Sequence, residues 1–171
     1  MVNHSLADML VSYKAIEFGE FTLASGVKSP YYIDVKTAVT NPDLLSAIAR
    51  AVSQSHAFDM VAGVAVGGVP LAVATALAAG KPYAIIRSSE KDHGKKEMII
   101  GSVKGKNVLL IEDVTTSGGS ALYGINALRA AGASAGRVVT VVDREQGAES
   151  MLSKHDVQLI PLVRVSQLLK Q

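Results

Sequence analysis

The chain has 171 residues, 49% of them hydrophobic and 19% charged, enough for a single globular domain (1–171) that buries roughly 70% of its unfolded surface. Lysine and arginine number 17 against 15 acids, a formal charge of +2 that is too near neutral to argue a nucleic-acid footprint. Cysteine is absent, which excludes disulfides and thiolate metal sites and fits a reducing compartment.

The first twenty residues carry Asp8, Lys14, Glu17 and Glu20 and no long apolar run, so the N-terminus is not a signal peptide and the expected location is cytoplasmic. Leu6, Met9, Leu10, Tyr13 and Ile16 share one helical face behind Ser5, which forms a capping pair with Asp8. FTLAS at 21–25 and YYIDVK at 31–36 predict short strands around the turn GVKSP. Asn41 and Pro42 open a helix whose apolar face is Leu44, Leu45, Ile48 and Val52.

From Met60 to Gly80 the chain carries no charge and is long enough to span a bilayer. GGVP at 67–70 breaks that run, and its Ala, Gly and Val content gives weak insertion energy. The expectation is a buried strand, MVAGVAV at 60–66, then a turn and the helix PLAVATALAA ended by Gly80, with no membrane association. YAIIR at 83–87 reads as the next strand, and the charged segment SSEKDHGKKE at 88–97 separates it from MIIGS.

After the turn KGKN come the strand VLLIEDV and a helix carrying Leu122, Ile125 and Leu128. RVVTVVD, starting at 137, and VQLIPLV at 157–163 are further strands with a short helix between them, and SQLLK closes the chain. Strands alternating with helices, several apolar on both faces, predict an α/β fold with a mostly parallel central sheet covered on both sides.

VLLIEDVTTSGGS at 108–120 concentrates the chemistry. A strand, short loop and helix present backbone N–H groups and a helix N-terminus beyond the carboxyl end of the sheet. Gly118 and Gly119 let backbone approach a ligand closely, while Thr115, Thr116 and Ser117 offer hydroxyls suited to a phosphate. Glu112 and Asp113 would repel that phosphate unless they address another part of the ligand, and acceptor-only carboxylates suit the vicinal hydroxyls of a sugar or a bridging metal. The residues alone leave a plainer alternative open, solvated strand-end acids followed by an ordinary helix cap.

This stretch resembles the phosphoribosyl-diphosphate signature of the type I phosphoribosyltransferases: an apolar strand, two acids, then a Thr/Ser/Gly loop. FGEFTLASGVKSPYYID at 18–34, AGVAVGGVP at 62–70, RSSEKDHG at 87–94 and VVDREQGA at 141–148 are similar to segments of the orotate-using branch. The likeness implies the type I fold with a small N-terminal hood (1–40) and a flexible catalytic loop (87–98). It implies magnesium-dependent transfer of phosphoribosyl from phosphoribosyl diphosphate to orotate, giving orotidine 5′-monophosphate and diphosphate for pyrimidine biosynthesis. It also implies a homodimer sharing that loop, with magnesium held mainly by substrate, Asp113 being the possible protein contact.

Residue by residue, the resemblance places the donor on Ala65, Val66, Arg87, Lys91, His93, Glu112, Asp113, Val114, Thr115, Thr116, Ser117, Gly118, Gly119 and Ser120. It places orotate on Thr116, Arg144 and Tyr32. Lys91 or His93 donates a proton or charge to departing diphosphate, and Glu112 and Asp113 complete the catalytic set. A strained or cis peptide is expected near Ala65 and Val66. Taken singly, Arg144 also reads as a surface ion-pair residue, Tyr31 and Tyr32 as strand aromatics, the 65–68 segment as an ordinary turn, and 88–97 as a solvated hairpin tip.

The chain departs from the family pattern at Ala24 and Ser88, where many members carry lysine, and in the order of acid and amide after Arg144. The alternatives to orotate transfer are a different acceptor base and a non-catalytic sensor of a nucleotide precursor built on the same fold.

Overall fold

Ser5 starts the first helix, α1 (Leu6–Ser12), through a reciprocal capping box with Asp8. The helix stops short of its predicted face: Lys14 adopts φ 57°, and the Ala15 N–H turns back to the Leu10 carbonyl. Ile16 therefore leaves the helix and opens β1 (Ile16–Thr22), which pairs antiparallel with β2 (Lys28–Ile33) in a two-stranded ribbon. YYIDVK does not continue as a strand. Asp34 accepts from the Thr37 N–H at 3.0 Å and its hydroxyl at 2.7 Å, a side-chain cap that turns the chain into α2 (Val35–Ala38).

The computed structural model describes residues 5–22, 26, 28–55, 57–88 and 98–170. Beyond α2 come α3 (Pro42–Ser55), β3 (Met60–Val64), α4 (Gly68–Ala79), β4 (Tyr83–Ile86), β5 (Ile99–Ile100) and β6 (Val108–Thr115). They are followed by α5 (Gly119–Ala130), β7 (Arg137–Asp143), α6 (Ala148–Ser153), β8 (Gln158–Arg164) and α7 (Val165–Leu168). The main sheet has six strands in the order β5-β4-β3-β6-β7-β8. Every pairing is parallel except that of β4 with the two-residue β5. Pro161, which cannot donate to a ladder, lies on the edge strand β8.

The strand period of two splits the core into two clusters. Val61, Leu109, Ile111, Val139 and Val141 face one side with residues of α1, α3, α4 and α7. Met60, Ala62, Val64, Leu110 and Val138 face the other with α5 and α6. Each large aliphatic buried here contributes about 1.5–3 kcal/mol from surface removed from water. No described helix is long and apolar enough to cross a membrane; the uncharged run at 60–80 is divided between a buried strand and a helix.

The strand order reverses between β3 and β6: the chain leaves β3 toward β4 and returns to β6 on β3's other flank. Helix α4, which follows β3, covers one face of the sheet, and α5, which follows β6, covers the other. Their starting turns thus diverge and open a crevice at the carboxyl ends of the two strands, where open α/β sheets bind ligands.

Candidate active site

Two strand-to-helix turns and the end of β7 build the crevice. In the first turn, β3 passes through a cis peptide between Ala65 and Val66, the bond at which a strained or cis geometry is expected, and Val66 stands 77% exposed. Gly67 follows under a tight constraint: a Cβ added there would lie 2.5 Å from the Asp113 carboxylate. Only glycine lets this turn approach the end of β6 so closely.

The second turn, Thr116–Gly118, joins β6 to α5. Gly118, at φ 85°, is the N-cap of α5 and makes no side-chain cap bond, so the amides of the first helical turn are left for a ligand. A cavity of about 100 Å³ lies here, lined by Glu112, Val114, Thr115, Thr116, Ser117, Gly118, Gly119, Ser120 and Ala121. The residues expected at a 5′-phosphate line this one small cavity. Larger hollows lie elsewhere, one beside β5 and one between α3 and α4, away from both turns.

Thr115 differs from its neighbours. It is the last residue of β6, 3% exposed, and its hydroxyl bonds Asp143 Oδ1 at 3.2 Å across the register pair Thr115↔Asp143. That hydroxyl is therefore engaged in joining β6 to β7, and the free hydroxyls of the loop are those of Thr116 and Ser117.

Glu112 and Asp113 are not side by side on one surface. Successive strand residues point to opposite faces, and the two carboxylates have different partners. Glu112, 4% exposed, accepts from the Ser120 hydroxyl at 2.9 Å on the α5 side. Burial, and secondarily the Asp113 charge, push its pKa up to about 7, against the opposing pull of the Ser120 hydrogen bond and Lys36. Asp113 faces the α4 side, against Gly67, and its Oδ2 accepts from Lys36 Nζ at 3.2 Å. Sequence reading does not single out Lys36, which stands inside the predicted strand YYIDVK; the Asp34 cap that turns it toward Asp113 emerges only in the fold.

Arg144 follows β7 directly, and its N–H bonds the Thr115 carbonyl at 2.9 Å. Its guanidinium lies over the Tyr31 ring at 5.4 Å, and its buried Nε has no hydrogen-bond partner. The buried Nε is therefore an unsatisfied donor at the edge of the crevice. Arg144 thus packs into the site rather than forming a surface ion pair. Of the two tyrosines, Tyr31 carries this contact; the Tyr32 ring lies tilted against Phe21, with centroids 5.7 Å apart, and the residue is 46% exposed. Asp143, 1% exposed, anchors the Arg144 segment: it accepts from the Glu145 N–H at 3.1 Å and pairs with Arg164 at 3.4 Å.

At the end of β4, Arg87 is tied by its backbone, its N–H to the Met98 carbonyl at 2.9 Å and its carbonyl to the Tyr123 hydroxyl at 2.8 Å. Its Nε is likewise buried without a partner. Lys91, His93 and Ala24 lie outside the described residues; Ser88 is described and exposed.

The hydroxyl-rich loop, the acidic step and the β3–α4 turn thus meet at one crevice, with Arg144 at the next strand end. Residues 35–163 match the family described as the phosphoribosyl transferase domain. An orotate phosphoribosyltransferase of Methanocorpusculum labreanum is 63% identical over 99% of both chains. The chain belongs to the orotate phosphoribosyltransferases. A second relative of that name, from Methanoculleus marisnigri, is 61% identical over 99% of both chains. The crystal structure of orotate phosphoribosyltransferase from Aeropyrum pernix superimposes with a TM-score of 0.85 at 29% identity, covering 96% of each chain. The family's mostly parallel sheet flanked by helices is the architecture found here.

Proposed function

We propose that the protein transfers the phosphoribosyl group of phosphoribosyl diphosphate to orotate, releasing orotidine 5′-monophosphate and diphosphate in pyrimidine biosynthesis, as a single-domain cytoplasmic homodimer. One observation carries the reading: the carboxyl ends of three neighbouring strands, β3, β6 and β7, bring together a backbone-lined turn, an acidic step with a hydroxyl-rich cradle, and a half-buried arginine whose Nε is an unsatisfied donor.

In this reading the 5′-phosphate sits in the cradle of Val114 to Ser120, held by loop amides and by the Thr116 and Ser117 hydroxyls. Glu112 and Asp113 hold the ribose hydroxyls. The transition state carries positive charge at C1′ as its bond to diphosphate breaks and orotate nitrogen bonds in its place, so two carboxylates fixed nearby favour it electrostatically. No covalent nucleophile takes part. The diphosphate lies along the Ala65–Val66 turn, with Arg87, Lys91 and His93 supplying charge. Lys91 or His93 serves as donor to the departing group, from the neighbouring subunit's loop where the dimer shares it.

Orotate is a planar anion, and its carboxylate suits the fork of a guanidinium. The free Nε of Arg144 and its seat on Tyr31 support that assignment, with Thr116 and Tyr32 completing the base site. Magnesium on the donor's diphosphate would neutralise the leaving group. Such an ion would be carried mainly on substrate oxygens, with Asp113 as the carboxylate to contact it.

The direct test offers phosphoribosyl diphosphate with orotate, uracil, hypoxanthine or adenine, with and without magnesium. Orotidine monophosphate formed from orotate alone supports the reading, and transfer to another base in its place overturns it. Arg144→Ala should raise the KM for orotate by about tenfold or more, as expected for the loss of a charge-assisted hydrogen-bond pair, and leave donor binding in place.

A further inference from the structure

The acidic step poses an electrostatic problem in the free protein, before a magnesium-bearing donor is in place. A donor carrying a phosphate and a diphosphate has to enter beside Asp113, and like charges brought together in a partly buried crevice repel strongly. Among the described residues the cation in contact with the acidic step is Lys36, 3.2 Å from Asp113 Oδ2.

Its position is built by the fold. Asp34 caps α2 through the Thr37 N–H and hydroxyl, and Val35 and Ala38 anchor the short helix in the core. Lys36, between them, is directed to the crevice over the end of β6. The oxygen it touches, Oδ2, is also among those nearest a Cβ built on Gly67. The ammonium therefore stands beside the β3–α4 turn, the segment assigned above to the diphosphate. Asp34 and Tyr32 also face it electrostatically. Its side chain remains 62% exposed, so the four-carbon stem is free to swing.

We infer that Lys36 is a donor-binding residue that neutralises Asp113 in the free protein and moves onto the donor's diphosphate as it enters. The diphosphate carries more charge than a carboxylate and competes successfully for the ammonium. Its arrival releases Asp113 to accept from the ribose hydroxyls, so one cation serves both the free and the loaded site. The inference rests on the phosphoribosyltransferase reading of the crevice, and separates from it experimentally because the product, orotidine monophosphate, has the ribose hydroxyls and 5′-phosphate but no diphosphate.

Calorimetric titration of the wild type, Lys36→Met and Lys36→Arg with phosphoribosyl diphosphate, inorganic pyrophosphate and orotidine monophosphate, all with magnesium, tests it. Lys36→Met should weaken the first two ligands by about tenfold while changing the third by less than about twofold, and Lys36→Arg should recover most of the loss. Equal weakening of all three ligands would show that Lys36 only orients Asp113, and unchanged pyrophosphate affinity would remove its contact with diphosphate; either overturns the inference. Failure of the wild type to make orotidine monophosphate would count against the acceptor assignment alone, because the pyrophosphate comparison does not involve orotate.

Discussion

The two turns that frame the crevice solve a similar problem with different materials. The β6–α5 turn is polar and contiguous: its hydroxyls, glycines and preceding acids all lie within 112–120. The β3–α4 turn, Ala-Val-Gly-Gly, has no polar side chain and presents only its backbone, bent by the cis peptide and packed through Gly67 against Asp113. The first turn carries its chemistry in residue types. The second carries it in conformation, and depends on the first for the surface it packs against.

Substitutions can break this contrast. The largest effect is expected at the contact between the turns: Asp113→Asn keeps the shape of the side chain and removes its charge, and should lower turnover by about 10² or more if the charge stabilises the transition state. Steady-state kinetics at saturating donor measures this, and near-normal turnover would remove the electrostatic role.

Glycine substitutions come next. Gly67→Ala places a methyl group 2.5 Å from the Asp113 carboxylate, so one turn or the strand end has to shift; the expected cost is about 1–3 kcal/mol of stability, together with weaker donor binding. Gly119→Ala meets only the Ser117 hydroxyl, at 3.9 Å. It should leave thermal stability nearly unchanged and act on donor affinity alone, by crowding the cradle. Equal melting temperatures for the two variants would contradict the contrast between the turns.

The effect spread over the widest range of conditions separates the two carboxylates. The Glu112 pKa is raised from 4.5 to about 7 by burial and by Asp113. A carboxyl group whose pKa is raised on folding holds its proton more tightly in the folded state, so stability falls as pH rises from about 4.5 to 7 and the loss is complete above that. The loss is of order 3 kcal/mol at most. Glu112→Gln should flatten this slope and raise the melting temperature at pH 8, while donor binding suffers. Denaturant midpoints measured across pH 5–8 check it, and an unchanged slope would mean that Glu112 is already ionised in the folded protein at pH 5.

Much of the fold was legible from periodicity. β3, β6 and β7 are built around apolar runs because both their faces are covered, and α4 ends at Gly80 as its sequence signals. Errors gathered in the first forty residues. Ile16 fits a helical face but opens a strand, because Lys14 takes a left-handed conformation that ends the helix early. YYIDVK alternates like a strand, yet Asp34 uses its side chain to cap a helix at that point. In both places a local backbone event overrides the pattern of apolar residues.

The site divides the same way. Sequence alone determined which residue types stand at the strand ends: the two acids, the Thr/Ser/Gly cradle, Arg144 and the glycines of the β3–α4 turn. These lie in short contiguous segments whose chemistry is local. Tertiary structure decided how each is employed. It sent Glu112 and Asp113 to opposite faces, engaged the Thr115 hydroxyl with Asp143, seated Arg144 on Tyr31, and brought Lys36 to Asp113 from 77 residues away in the chain. Such partnerships depend on strand order and helix placement, which arise from packing the whole core and leave no mark in any one segment.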